Sequence, residues 1–255
     1  MTHVLCLIAG PGALNPSLVA RLRDSLPGAS ETWLAPGEAC DLGPVTGDLD
    51  ALARARAALG GARVDVNLIE RSRRRKALLV ADMESTLIEN EMIDELADTI
   101  GIGEEVARIT FRAMNGELDF ATALRERVAL LAGLPVQRLE TVAERIRLMP
   151  GASCLIATLR AHGVFTAIVS GGFLFFTNLV RRRLGADHDE GNDLVTTNGA
   201  LTGTVREPIL DRDGKVLALR RLAAKLDIGV EDALTVGDGA NDLPMLRVAG
   251  LGVAF

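Results

Sequence analysis

Residues 77–86 read ALLVADMEST, and this stretch decides the fold. Ala77–Ala81 is an unbroken apolar run, the pattern of a parallel strand covered on both faces. It passes directly into Asp82, Met83, Glu84, Ser85 and Thr86, so two carboxylates stand at the strand's carboxyl end. Two later segments repeat the arrangement. Val164–Val169 runs into Ser170, Gly171 and Gly172, and Ala233–Val236 runs into GDGAND at 237–242. Ligands of open α/β sheets bind beyond the carboxyl ends of the strands, so the three ends are expected to meet in one crevice.

Working outward, helices predicted at 152–162, 173–184, 214–226 and 241–248 alternate with these strands, and a last strand is predicted at 251–254. That alternation predicts an α/β architecture. Residues 194–206 predict a hairpin turning at Asn198 and Gly199. Residues 91–148 carry only helical periodicity, with Met92, Ile93, Leu96, Ala97 and Ile100 at one-turn spacing and further apolar faces at 104–114, 120–132 and 137–147. Such an insert after the first strand reads as a lid or cap. Upstream, strands at 3–9, 31–35 and 63–69 with helices at 16–26 and 48–60 predict a small α/β unit over 1–70. The basic run at 71–76 (RSRRRK) predicts a solvated linker, and 77–255 the main domain.

Composition narrows the class. The 255 residues are 48% apolar and 24% charged, as in an ordinary globular protein, which excludes a disordered, collagenous or coiled-coil chain. No apolar run reaches the roughly 18 to 20 residues of a membrane span. The start, MTHVLCLIAGPGALNP, lacks the basic and apolar regions of a signal peptide. Cys6, Cys40 and Cys154 are far apart and odd in number, which fits a reducing, cytoplasmic setting rather than a disulfide framework or zinc site. A net charge of −6, aromatics at 3% and no Tyr argue against a nucleic-acid partner. An acidic enzyme with a small-molecule substrate is the expected class.

The chemistry of the crevice follows from residue types. Asp82 and Asp238 offer hard oxygen ligands suited to Mg²⁺. Ser170 and the two glycines at a helix start expose N–H groups to an anion. A carboxylate beside Mg²⁺ can attack phosphorus, and a second acid two residues on can protonate the leaving alcohol and then activate water. Taken singly, D-x-E reads as a solvated turn, Ser170 as an N-cap, GDGAND as a turn and Lys215 as an exposed lysine, although a cation in a first turn opposes the helix dipole. Their joint occurrence at successive strand ends supports the catalytic reading.

DMEST, SGG, Lys215 and GDGAND, in this order, resemble the motifs of the haloacid dehalogenase superfamily. The longer strings ADMESTLIENEMIDELAD, FRAMNGELDFATALRERVALLAGLP and VSGGF are similar to its phosphoserine phosphatase family over about residues 77–255. The resemblance implies a HAD-like Rossmannoid parallel sheet with a helical cap, and Mg²⁺-dependent hydrolysis of O-phospho-L-serine, the last step of serine biosynthesis. It makes Asp82 the nucleophile and a metal ligand, and Glu84 the general acid/base, offering its main-chain carbonyl to the metal. Ser170, Gly171, Gly172 and Lys215 hold the phosphoryl group. Asp238 completes the metal ligands, with Asn241 and Asp242 ordering the site. Glu91 meets the substrate ammonium, Arg127 its carboxylate, and Met114 and Phe120 close the pocket. Residues 1–70 loosely resemble an ACT-like domain.

Local pattern adds that Arg127 borders its helix's apolar stripe and must reach a partner or snorkel, whereas Arg125 points outward. Two departures from the family stand out. Glu84 replaces the usual Asp, moving the acid by on the order of 1 Å, enough to cost on the order of 10²-fold in rate. Family members also continue beyond GLGVAF at 250–255, so the apolar strand 251–254 is expected to lack cover. Either a longer chain or a second chain, as in a homodimer, would then pack there. Two other readings remain: a phosphatase for another small phosphomonoester, and a catalytically weak amino-acid-binding regulator.

Overall fold

The computed structural model describes residues 3–46 and 49–255, which divide into two compact units with the boundary between Arg75 and Lys76. The expected helix start at residue 48 and the first two residues of the leader reading lie outside the described residues. The first unit comprises β1 (His3–Ile8), α1 (Pro16–Asp24), β2 (Ser30–Ala35), β3 (Ala39–Val45), α2 (Leu49–Leu59) and β4 (Asp65–Glu70). Its sheet is antiparallel in the order β2-β3-β1-β4, a βαββαβ arrangement. The chain enters α1 through Asn15, whose side chain accepts from the Ser17 N–H at 2.8 Å, with Pro16 at the first helical position.

Period-two alternation sends Leu5, Leu7, Cys40, Leu42 and Val66 against Leu18, Val19 and Leu22 of α1 and Ala51 and Ala55 of α2. Cys6 and Asp41, paired across β1 and β3, share the opposite face, whereas Cys40 pairs with Leu7. The two thiols therefore point to opposite sides of the sheet and are free. Burial, reinforced by Asp41, pushes the Cys6 thiol up to about 11, which keeps it protonated and unreactive. Strand β3 is absent from the sequence reading because Gly43 and Pro44 interrupt its pattern. Gly43 is required there, since a Cβ would lie 2.9 Å from Val4 Cγ1. The basic run is also not simply solvated: Arg74 pairs with Asp41, and Lys76 Nζ donates to the Glu231 carbonyl at 2.7 Å.

The second unit begins with β5 (Leu78–Ala81) and then α3 (Met92–Ile100), α4 (Gly103–Met114), α5 (Phe120–Ala129) and α6 (Gln137–Ala143). It continues with α7 (Ala152–Ala161), β6 (Phe165–Phe173), α8 (Leu174–Leu184), β7 (His188–Asn192), β8 (Leu194–Thr197) and β9 (Ala200–Val205). It ends with α9 (Arg212–Lys225), β10 (Ala233–Gly237), α10 (Leu243–Val248) and β11 (Leu251–Ala254). The main sheet is wholly parallel in the order β11-β10-β5-β6-β7. β5 is central and buried along its length. Leu79 and Ala81 face the core shared with α7, α8 and the α3–α6 helices, while Leu78 and Val80 face α9 and α10. This two-sided cover is what the unbroken ALLVA run requires.

The hairpin of β8 and β9 turns at Asn198 and Gly199, with φ of 48° and 77°, so both central residues have the positive φ of a type I′ turn. It is tied to the segment between α5 and α6, Val136 N donating to Gly199 O at 2.9 Å and Leu201 N to Leu134 O at 2.8 Å. β7, HDEGN, has no apolar residue to announce it. It is held by side-chain pairs, Arg181–Asp189 at 2.7 Å and Thr177–Asp189 at 2.9 Å. β11 lies at the sheet edge with Val253 and Phe255 exposed. Among the described residues no helix is long and apolar enough to cross a membrane.

Candidate active site

β5, β6 and β10 are adjacent, so the segments that follow or end them converge at one end of the sheet. A cavity of about 160 Å³ opens there, lined by Asp82, Glu84, Ser170, Gly171, Gly172, Asp238 and Asn241 from the sheet side. From the inserted helices come Glu91, Ile93, Phe120, Leu124 and Arg127.

Lys215, in the first turn of α9, is the electrostatic centre. It is wholly buried, with Nζ 2.8 Å from Asp82 Oδ2 and 2.6 Å from Asp242 Oδ1. Burial works against the ammonium, but Asp82 and Asp242 outweigh it and hold Lys215 above the ordinary lysine range. This explains a cation near a helix N-terminus: two carboxylates oppose the unfavourable dipole. Burial, only partly offset by Lys215, pushes the Asp82 carboxyl up. The remaining oxygens are also anchored. Met83 N donates to Asp82 Oδ1 at 2.8 Å and Gly239 N to Asp242 Oδ2 at 3.0 Å. Asp238, more exposed, is fixed by the Thr86 hydroxyl, which donates to Oδ1 at 2.7 Å. The glycines of GDGAND have steric reasons: a Cβ on Gly237 would run into Asp242, and one on Gly239 into Asn241.

Oxygens of Asp82, Asp238 and Asp242 lie within 4.8 Å of one another. Lys215 pairs with two of these three carboxylates, so the cluster carries excess negative charge on hard oxygen donors. It fits a small divalent cation. The Glu84 side chain is outside this group.

Glu84 Oε1 instead accepts from Met92 N, the first N–H of α3, at 2.9 Å. Its carboxylate lies over Gly172, where a Cβ would fall 2.5 Å from Glu84 Oε2. Burial, then the nearby Glu91, push the Glu84 carboxyl up to about 8. A raised folded-state pKa means that its contribution to stability is full at acid pH and is lost as pH rises towards about 8. In metal-free protein, Glu84→Gln should therefore gain thermal stability over the parent progressively between about pH 5 and about pH 9. A melting-temperature difference that stays flat across that range would contradict this.

Ser170 does not cap α8; that position belongs to Phe173, and Ser170 Oγ accepts from Gly172 N at 3.0 Å. Phe120 closes one wall, its Cζ where a Cβ on Gly171 would approach to 2.8 Å. Glu91 precedes α3 as its N-cap residue and accepts from the Ser85 hydroxyl at 2.7 Å. Ser85 itself has a φ of 53°, an uncommon conformation for a non-glycine residue, in the turn just after Glu84. Arg127 donates only Nε, to the Ala123 carbonyl at 3.3 Å, and has no carboxylate within ion-pair distance among the described residues. Arg125 is exposed and pairs with Glu207 at 2.6 Å. Met114 departs from expectation: it is 82% exposed on α4, beside Phe111, and does not line the cavity. Sequence reasoning missed the anchoring by Ser85 and Thr86, although both stand inside DMEST.

Known proteins are similar to this chain in sequence and in fold. The family model for haloacid dehalogenase-like hydrolases matches residues 79–247. A phosphoserine phosphatase of Archaeoglobus fulgidus is 48% identical over 182 residues, covering 71% of this chain, and the match spans only about half (53%) of that relative. A HAD-family hydrolase from Salmonella enterica superposes with a TM-score of 0.87 at 29% identity, covering 99% of this chain and 89% of the other. A phosphoserine phosphatase solved as a phospho-aspartyl intermediate analogue superposes with a TM-score of 0.67 at 42% identity, covering 71% of this chain and 87% of the other. The match begins inside β5 and ends inside α10, so it takes in the turn bearing Asp82, the inserted helices, Lys215 and the acidic cluster, and the chain belongs to the haloacid dehalogenase-like hydrolases.

Proposed function

We propose that the protein is a Mg²⁺-dependent phosphatase that hydrolyses O-phospho-L-serine to L-serine and orthophosphate. The observation that carries this reading is the division of the cavity into two chemical halves. Asp82, Lys215 and the Ser170–Gly172 turn form an anion-receiving nucleophilic side, while Glu91 and Arg127, which has no ion pair among the described residues, face it from the inserted helices. Such a pair suits an ammonium and a carboxylate carried on one small substrate. The phosphoserine phosphatase relatives support the same substrate.

In this reading Asp82 attacks phosphorus, and the P–O bond to the seryl oxygen breaks. The electron pair moves to that oxygen, which takes a proton from Glu84. A pKa of about 8 keeps Glu84 protonated near neutrality, as a general acid requires. Glu84, now ionised, takes a proton from water, whose oxygen attacks the aspartyl-phosphate; the bond to Asp82 breaks and orthophosphate leaves. Ser170, Gly171, Gly172 and Lys215 hold the phosphoryl oxygens, Phe120 excludes water, and Asn241 borders the phosphate side. Asp82, Asp238 and the Glu84 main-chain carbonyl would hold the metal, with Asp242 ordering the site through Lys215. When bound, Mg²⁺ supplies neutralisation of charge building on the phosphoryl oxygens. The βαββαβ order of the first unit supports an ACT-like reading of residues 1–70, and the three free thiols support a cytoplasmic setting.

The test compares two substrates. Arg127→Ala should raise KM for phosphoserine by roughly 10- to 100-fold, because a charge-assisted hydrogen bond is worth about 1.5–3 kcal/mol. KM for a phosphomonoester lacking a carboxylate should hardly change. Equal losses on both substrates would overturn the assignment of the carboxylate partner, and no orthophosphate release by the parent protein would overturn the function.

A further inference from the structure

We infer that Asn192 is the positioning residue of the phosphate-binding side: its buried side chain ties the Ser170–Gly172 turn to the start of the Lys215 helix and turns the Gly172 N–H toward Ser170 Oγ on the cavity wall. This rests on the phosphatase reading above and assigns a role to a residue that touches no substrate.

The main sheet is irregular beside this turn. β6 and β7 pair in register up to Val169 with Glu190, and next at Phe173 with Asn192. Three residues of β6 (Ser170, Gly171 and Gly172) thus stand opposite Gly191 alone. The excess must bulge from the ladder, and a bulge re-aims the groups it carries. Left to itself, so glycine-rich a bulge has many backbone conformations available.

Asn192 removes that freedom. Its side chain is 2% exposed and makes three hydrogen bonds, all to backbone. Nδ2 donates to Gly171 O at 2.7 Å and to Leu210 O at 3.1 Å, and Oδ1 accepts from Leu210 N at 2.7 Å. A trans peptide sets its C=O and the following N–H in opposite directions. Turning the Gly171 carbonyl inward to Asn192 therefore turns the Gly172 N–H outward, where it meets Ser170 Oγ at 3.0 Å on the cavity wall. Gly191 allows the close approach: a Cβ there would lie 2.9 Å from Leu174 N and 3.1 Å from Gly172 O.

The other two bonds act on the lysine. Leu210 is followed by Asp211, the N-cap residue of α9, whose side chain accepts from Gly214 N at 2.9 Å, one residue before Lys215. Fixing both polar groups of Leu210 fixes where α9 starts. One carboxamide thus sets the relative placement of the turn and the lysine that receive the same anion. Only an amide can do this, because the site needs donors and an acceptor on one short side chain.

The experiment uses the full chain with saturating Mg²⁺ and titrates orthophosphate and L-serine separately by calorimetry. Asn192→Ala, and the near-isosteric Asn192→Asp, which sets a carboxylate against two carbonyls, should each weaken orthophosphate binding by at least about tenfold. L-serine affinity should stay within about twofold, since its partners lie on the inserted helices. In the nitrogen-labelled parent, the Gly172 amide resonance should shift on adding orthophosphate, a readout independent of how the variants fold. A lowered melting temperature with unchanged orthophosphate affinity, or a Gly172 amide that ignores orthophosphate while the parent binds it, would overturn this inference alone. A parent that binds no orthophosphate overturns both this inference and the proposed function.

Discussion

Asp82→Asn should abolish turnover of phosphoserine, with a loss on the order of 10⁴- to 10⁶-fold, the scale seen when a covalent nucleophile is removed. The amide matches the carboxylate in shape but lacks the charge to attack phosphorus. The fold should survive, because Lys215 keeps its 2.6 Å contact with Asp242, and the Met83 N–H can still donate to the amide oxygen. Circular dichroism and the melting temperature should therefore stay near the parent's while phosphate release disappears. Activity within about tenfold of the parent would remove Asp82 from the nucleophile's role.

Lys215→Met should produce the largest stability change. The lysine is wholly buried and the Asp242 side chain equally so, with Asp82 nearly as enclosed. Removing the cation leaves two carboxylates facing each other without compensation, and breaking a buried pair this way costs about 3–5 kcal/mol. Denaturant unfolding without divalent cations would read this directly. Adding Asp242→Asn to Lys215→Met should recover part of the loss, since one uncompensated charge is then gone. An unchanged unfolding midpoint in the single variant would mean that the pairs carry no net stability.

These effects trace to residues whose placement was readable in different degrees. ALLVA followed by Asp82 announces a buried parallel strand with an acid at its end, because hydrophobic periodicity and strand-end chemistry are both local. Asn198-Gly199 announces its turn for the same reason. β7 and β3 are illegible because their stability is not local. HDEGN is a strand through pairing with β6 and through Arg181 and Thr177, and β3 carries Gly43 and Pro44 where its register with β1 shifts, beside Val4. Asn192 was invisible for that reason, its partners lying 18 and 21 residues away in sequence. Met114 shows another limit. Its place in a motif does not say which face of α4 meets the cavity, and here Phe120 and Leu124 form the wall. The basic run shows the converse, a segment of solvated appearance in which Arg74 finds Asp41 through the fold.

In the proposed reaction a phosphoryl group passes from substrate to Asp82. Acid quenching of the Mg²⁺-loaded protein during turnover of radiolabelled O-phospho-L-serine, followed by peptide mapping, reads that step. The label should appear on the peptide containing Asp82 and be missing in Asp82→Asn. Orthophosphate released without any protein-bound label, or label on a different residue, would contradict it.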